Sequence, residues 1–571
     1  MFRNQYLRYD DLMAQLQAWA RQHPRFVRLS SIGRSAEGRE IPLLTIGESP
    51  DQGRPAVWVD GNMHASEVCG SSVALAIAED LIGLHQGGTQ AGGKPLPATM
   101  AATLREALFY VVPRISPDGA EAVLQRGRYL RSSPVDGRAA RGGARWQAED
   151  IDGDGLAGYM RVACPDGELT ELRGDDGQPL QPPVLVPRLP EDEGPFYRLY
   201  PEGRIENFDG HSVPDPYFLG DNEYDFNRNF PYSWAPEPQQ AGAGPYPGSA
   251  PETRAVMDFA TAHPNIMVWL NLHTFGGVLI RPLGDKPDSK MNPGDLGVFE
   301  QIEAWMTEHT GYATVSGYHE FLYEPDKPLH GDLSDYAYHQ RGALAYVVEL
   351  WDIFQQLGIE RRKPFVDHYS KLTRAHMRKL AEFDRQHNAG RVFKPWRAVQ
   401  HPQLGTVEVG GFDPRVGIWN PPYERLADTC AGQSAAFLRV AALLPRLSLR
   451  MVEQQPAEGG LTRLKLRVAN HGYLPSHGVH SAKDLPHCEP LRLRAHGDGL
   501  QVLAPAEAVV EIGHLAGWGG GLYGSSSAFS PWTSGNRHER FVTLLVAGKG
   551  RLQVELASCR VGALHLDIDI V

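Results

Sequence analysis

Cysteine is scarce, with five in 571 residues. Five cannot staple a chain of this length, and an odd number leaves one thiol over, which excludes a disulfide scaffold and favours a reducing compartment. Long apolar runs are also missing: none reaches the roughly 18 residues that a membrane-spanning helix needs. The opening MFRNQYLRYDDLMAQLQAW has no basic stretch leading into an unbroken apolar one, so no secretory leader is expected and the cytoplasm is the expected location. Positive charge is in deficit, with 56 Lys and Arg against 68 Asp and Glu, a net of −12. Such a chain has no general attraction for nucleic acid or anionic membrane. The sequence contains no Walker loop, no G-x-S-x-G elbow, no H-E-x-x-H pair and no internal repeat. What it does have is an ordinary globular composition, 42% hydrophobic and 22% charged, which excludes wholesale disorder.

The texture along the chain changes twice. Leu12, Leu16 and Trp19 have helical spacing and predict a helix over 6–21. Short apolar runs at 27–29, 41–46, 56–59, 108–112, 266–272 and 343–348 alternate with helical stretches at 70–84, 251–262, 298–309 and 365–386. Strands with interleaved helices predict an α/β sheet covered on both faces. Residues 132–222 break this pattern with 18 acidic against 8 basic residues and many Gly and Pro, and read as a long surface insertion. From 390 onward the chain is slightly basic and carries short alternating runs, including Val407 and 464–468, 509–512, 541–546, 552–556 and 564–568. That portion, 390–571, reads as an all-β sandwich. Its Gly519–Gly524 stretch matches G-x-G-x-x-G but lacks a strand–turn–helix setting, so it reads as a loop.

Strand 56–59 runs into Asp60-Gly61-Asn62-Met63-His64-Ala65-Ser66-Glu67, strand 266–272 ends at His273, and strand 343–348 ends at Glu349. In open α/β sheets ligands sit outside the carboxyl ends of strands, so these side chains could meet in one crevice. His64 and Glu67 are three apart, and His273 would complete a His₂Glu set. Three protein ligands with an open position make a catalytic zinc arrangement. Zinc acidifies water and polarises a carbonyl. A free carboxylate such as Glu349 could take the water's proton and pass it to a leaving amine. Taken singly, each feature has a plainer reading: a chance H-x-x-E, a hydrogen-bonded strand-end histidine, a glutamate in an ion pair.

The motifs come as an ordered set: G-R-S-x-E-G-R at 33–39, H-x-S-E at 64–67, S-P-D-G at 116–119, R-x-x-R at 128–131, F-N-R-N-F at 226–230, L-H-T at 272–274 and V-E-L-W-D at 348–352. In that order they resemble the zinc carboxypeptidase family, the carboxypeptidase A-like metallopeptidases of the M14 type. The resemblance covers about residues 6–388, interrupted by the insertion. It implies a mixed, mostly parallel sheet flanked by helices over 1–389; the sandwich at 390–571 lies beyond the resemblance and would be an accessory domain for folding, dimerisation or substrate docking. It also implies one zinc per chain held by His64, Glu67 and His273, with Glu349 as general base and acid. Arg131 would stabilise the oxyanion, and Asn227 and Arg228 would hold the free C-terminal carboxylate of a peptide or peptide-like substrate. The family closes a mobile tyrosine over its substrate, and Tyr323 is the residue offered here, with Tyr318 as the other candidate. Tyr336 and Tyr338 would pack near the pocket. Ser334 would lie near the base of the specificity pocket, where a neutral residue argues against a simple preference for Lys or Arg side chains. The implied activity is zinc-dependent carboxypeptidase hydrolysis. The alternatives are a zinc amidohydrolase acting on a non-peptide amide or cell-wall fragment, and an inactive relative that binds C-termini.

The insertion also carries D-x-D-x-D-G at 150–155, the first half of an EF-type loop. Asp150, Asp152 and Asp154 therefore stand as candidate calcium ligands that would order the insertion. The twelfth position is Arg161, so the loop is not a full EF-hand.

Overall fold

The computed structural model describes residues 2–127, 130–135, 143–215, 224–324, 327–507, 509–519 and 535–571. Arg128 of the R-x-x-R motif and all but the first residue of the 519–524 loop lie outside the described residues. The centre of the molecule is an eight-stranded sheet. Its strands are β1 (Val27–Arg34), β2 (Glu40–Ile46), β3 (Ala56–Gly61), β4 (Leu108–Val112), β5 (Ile266–Thr274), β6 (Val278–Arg281), β7 (Ala313–Ser316) and β8 (Leu344–Leu350), in the order β1-β2-β4-β3-β5-β8-β6-β7. The inner strands β4, β3, β5 and β8 are parallel, β6 pairs with β8 antiparallel, and β1 and β2 form an antiparallel edge. This is the mixed, mostly parallel sheet expected.

Burial explains why these strands read as unbroken apolar runs: every residue of β3 and β5 is buried. The strands still alternate between faces. Val57 and Val59 pack with the helix Cys69–His85, whereas Ala56 and Trp58 pack with Val256 of the helix Pro251–Ala262. Among the described residues no helix is long and apolar enough to cross a membrane.

The insertion shares a second sheet with strands downstream of the catalytic region, and the expected start of the sandwich needs correcting. The insertion strands Leu185–Pro187, Leu169–Glu171, Phe196–Pro201 and Tyr159–Ala163 are continued by Gly405–Phe412 and Phe393–His401. Val407 therefore belongs to the insertion's core, beside Trp146 and Met160. A buried charge also spans the two parts. Arg161, 5% exposed, needs carboxylates, and it takes Glu171 from its own sheet and Glu408 from the downstream strand. The helix Tyr423–Ala441, unread in the sequence, packs on helices Cys69–His85 and Pro293–Thr310. The antiparallel β region starts at Leu447 as two four-stranded sheets. Its apolar residues, Leu464, Leu493 and Val554 among them, join one continuous core with the central sheet.

Candidate functional site

Strand ends build the site. β5 and β8 run in parallel register with His273 opposite Glu349, and β3 lies on the other side of β5 with Gly61 opposite Leu272. Beyond Gly61 the chain turns sharply. Asn62 has a left-handed backbone with φ of 56°, and its Nδ2 donates to the carbonyls of His64 at 2.7 Å and Ala65 at 3.2 Å. Gly61 and Gly70 press together across this turn: a Cβ on Gly61 would lie 2.6 Å from the Gly70 carbonyl. Only glycine lets the loop fold back so closely.

The fold brings His64, Glu67 and His273 into contact, all of them buried. His64 Nδ1 lies 2.8 Å from Glu67 Oε1, His273 Nδ1 lies 2.9 Å from Glu67 Oε2, and the two Nδ1 atoms are 3.1 Å apart. Each ring also uses its other nitrogen. His64 Nε2 is 3.1 Å from Asp225 Oδ1, and His273 Nε2 is 2.5 Å from Asn271 Oδ1. Polar partners on the far nitrogen fix the tautomer and orientation of a ligating imidazole. Burial pushes the pKa of His273 down and favours the neutral ring that a metal needs. Burial would raise Glu67, but the two imidazoles outweigh it and keep the carboxylate ionised.

Asp225 and the pair Asn271–Asp60 were missed in the sequence. Asp225 joins His64 to Arg131, whose Nε donates to its Oδ2 at 3.0 Å. Its position two residues before Asn227 in the F-N-R-N-F region was the available signal. Asn271 donates to Asp60, which also accepts from the indoles of Trp58 at 2.6 Å and Trp269 at 2.8 Å. Full burial nevertheless pushes the Asp60 carboxyl up to about 7.

Arg131 is seated by its backbone, with Ala65 N donating to its carbonyl at 2.8 Å. Burial works against its charge, but Asp225 and Glu67 outweigh burial and hold its pKa above the usual arginine value. The motifs at 33–39 and 116–119 support this corner. Asp118 accepts from Ser35 Oγ at 2.7 Å, Glu37 N at 2.8 Å and Arg39 Nη1 at 2.7 Å, and Ser116 donates to the Ser132 carbonyl next to Arg131. Glu349 is pushed well above the ordinary carboxyl range by burial and by the Glu67 charge, with Arg131 pulling the other way.

His64, His273, Glu349, Arg131, Asn227, Arg228, Tyr323 and Ser334 all line one cavity of about 70 Å³. Asn227 is fixed by Leu333 N donating to its Oδ1 at 2.8 Å, and Arg228 Nη1 donates to the Asn227 carbonyl at 2.6 Å. Tyr323 is 62% exposed at the rim. Tyr336 stacks on Phe230 in the core, while Tyr338 turns away from the pocket and donates to Asp295 at 2.9 Å. Beside Ser334 the wall also carries the charged side chains of Asp332 and Arg281.

The acidic loop has a different outcome. Asp150 and Asp152 approach the buried Glu202, but Asp154 is not in that group. Asp150 accepts from the backbone of Gly153 at 2.7 Å and Gly155 at 2.8 Å, Asp152 pairs with Arg397, and Glu202 accepts from Ile151 and Gly158. The loop's own amides and an arginine already answer its carboxylates.

The family model described as zinc carboxypeptidase matches residues 12–152 and 215–363, just over half of the chain. The chain belongs to the zinc carboxypeptidase family. A second model, for a domain of unknown function, matches 446–569. The catalytic chain of human (Homo sapiens) carboxypeptidase N is 29% identical over 123 residues, which is 21% of this chain and 25% of the relative. A zinc carboxypeptidase of Saccharothrix mutabilis subsp. capreolus is 26% identical over 126 residues, 22% of this chain and 27% of the relative. The matches thus span about a quarter of these relatives' length. The crystal structure of carboxypeptidase A from Helicoverpa armigera aligns over 77% of this chain and 74% of its own, at 16% identity and a TM-score of 0.42.

Proposed function

We propose that this chain is a zinc-dependent metallocarboxypeptidase that hydrolyses the C-terminal amide bond of a peptide or peptide-like substrate. One observation carries the reading: three buried ligand atoms of His64, Glu67 and His273 converge beside Glu349, in a cavity that also holds Arg131 and Arg228. The donor set fits zinc, with two imidazoles and one carboxylate, and Asp225 and Asn271 orienting the rings. Zinc bound there would lower the pKa of water and polarise the scissile carbonyl.

The chain's own residues do the rest. Arg228 forks onto the terminal carboxylate, with Asn227 beside it, and this sets the cut one residue from the end. Glu349, once ionised, removes a proton from the attacking water, which its raised pKa favours, and delivers it to the departing amine, so it ends the cycle as it began. Arg131, held charged by Asp225, faces the oxygen that gains negative charge. Tyr323 at the rim can fold over the occupied pocket and exclude solvent. A peptide library with free and amidated C-termini, together with a panel of non-peptide amides, incubated with zinc-loaded protein and read by mass spectrometry, tests this. Loss of single C-terminal residues from the free acids alone is expected. Cleavage of non-peptide amides only would favour an amidohydrolase, and no cleavage of any member would remove the catalytic reading.

A further inference from the structure

The chain between 363 and 446 is matched by neither family model, yet it touches the metal loop. Asn420 is fully buried, and its side chain brackets Glu67. Its Nδ2 donates to the Ser66 carbonyl at 2.7 Å, and its Oδ1 accepts from Cys69 N at 2.8 Å. The second contact answers a local deficiency. The first N–H groups of a helix have no partner within it, and at the helix Cys69–His85 the residue at the N-cap position, Val68, gives no side-chain cap. Asn420 supplies that cap from 351 positions away.

The cap rests on a firm base. Asn420 Nδ2 also donates to the Arg415 carbonyl at 2.8 Å, and Gly417 N donates to the Asn420 carbonyl at 2.7 Å. Arg415 forks onto Asp413 at 2.9 and 2.7 Å and donates to the Val123 carbonyl at 3.0 Å. The Gly417 carbonyl accepts from the Trp351 indole at 3.1 Å, two residues beyond Glu349. One loop therefore grips both the turn bearing Glu67 and the strand end bearing Glu349.

We propose that Asn420 is a positioning residue of the metal centre, holding the Ser66–Cys69 backbone so that the Glu67 carboxylate faces His64 and His273. The proposal rests on the metal assignment above. Removing an outer partner of a metal ligand typically weakens metal binding about 10- to 100-fold.

The test is the zinc dissociation constant of the full chain, measured by chelator competition. Asn420→Ala should weaken zinc binding about 10- to 100-fold. Asp295→Asn, which loosens a contact to residues 480 and 481 far from the loop, should lower the melting temperature and leave zinc affinity at the wild-type value. Asn420→Ala with lowered stability and wild-type affinity would overturn the proposal while sparing the metal assignment. Wild type that binds no zinc would overturn both. If the alanine variant does not fold, hydrogen exchange on wild type decides. Because coupling is reciprocal, zinc should slow exchange at Cys69 and across 413–420, and protection confined to 64–70 and 273 would refute the role.

Discussion

At the scale of single residues, the proposed role of Glu349 would set function against stability. Burial and the neighbouring Glu67 raise its pKa above the ordinary carboxyl value. A carboxyl raised on folding binds its proton more tightly in the native state, so native stability declines as pH climbs from the unfolded value near 4.5 toward the folded one. Glu349→Gln removes that titration. The metal-free variant should melt higher than wild type at pH 7 to 8 and alike near pH 4, by differential scanning calorimetry. The same variant should retain zinc and lose about 10²- to 10⁴-fold in kcat. Arg228→Met should separate substrates. It should cut kcat/KM roughly 100-fold on free-acid peptides, the cost of an unpaired carboxylate, and leave binding of amidated peptides within a few-fold of wild type. His64, Glu67, His273, Glu349, Arg131, Asn227 and Arg228 were legible in the sequence because each ends an apolar run or sits in an ordered motif. Asp225 was not, since its value comes from spanning His64 and Arg131, which lie far away in sequence.

At the scale of elements, register does the work. β5 and β8 are parallel neighbours, so the same level of the sheet delivers His273 and Glu349 side by side. The turn after β3 must then bring His64 to meet them, and Gly61 against Gly70 permits it. Gly61→Ala should cost about 1–3 kcal/mol in denaturant unfolding, because the new methyl meets backbone that cannot yield, and zinc retention on gel filtration should fall with it. The strands were readable as buried apolar runs. The helix Tyr423–Ala441 was also written in the sequence, with Leu426, Cys430, Phe437 and Val440 at helical spacing. Its neighbours on both sides are short strands with Gly and Pro breaks, and local texture favoured β over the periodicity. The strands 393–401 and 405–412 look like any half-buried ribbon. Their contacts to the insertion, the Arg161–Glu408 pair and the packing of Val407 on Met160, are long-range and no local pattern reveals them.

At the scale of the whole molecule, the antiparallel β region is welded on. Arg560, 1% exposed, donates through Nη1 to the carbonyls of Pro264 at 2.7 Å, Ile266 at 3.1 Å and Arg341 at 3.0 Å, and through Nη2 to Gly342 at 2.8 Å and His477 at 3.1 Å. Burial pulls its pKa down to about 10, and five backbone carbonyls accept hydrogen bonds from the guanidinium in place of water. Asp295 ties the helix Pro293–Thr310 to the backbone of His480 and Ser481. With a shared apolar core as well, calorimetry should record one unfolding transition for the full chain. Arg560→Met should lower stability by about 3 kcal/mol or more through stranded carbonyls, and two separate transitions in wild type would contradict this picture.

Arg560 grips the chain where β5 and β8 begin, and these are the strands whose far ends carry His273 and Glu349. A small slip of the β region would then drag both strands by the same amount, like two oars on one pin. The distance between that histidine and that glutamate would survive, and the mismatch would fall on the turn that carries His64.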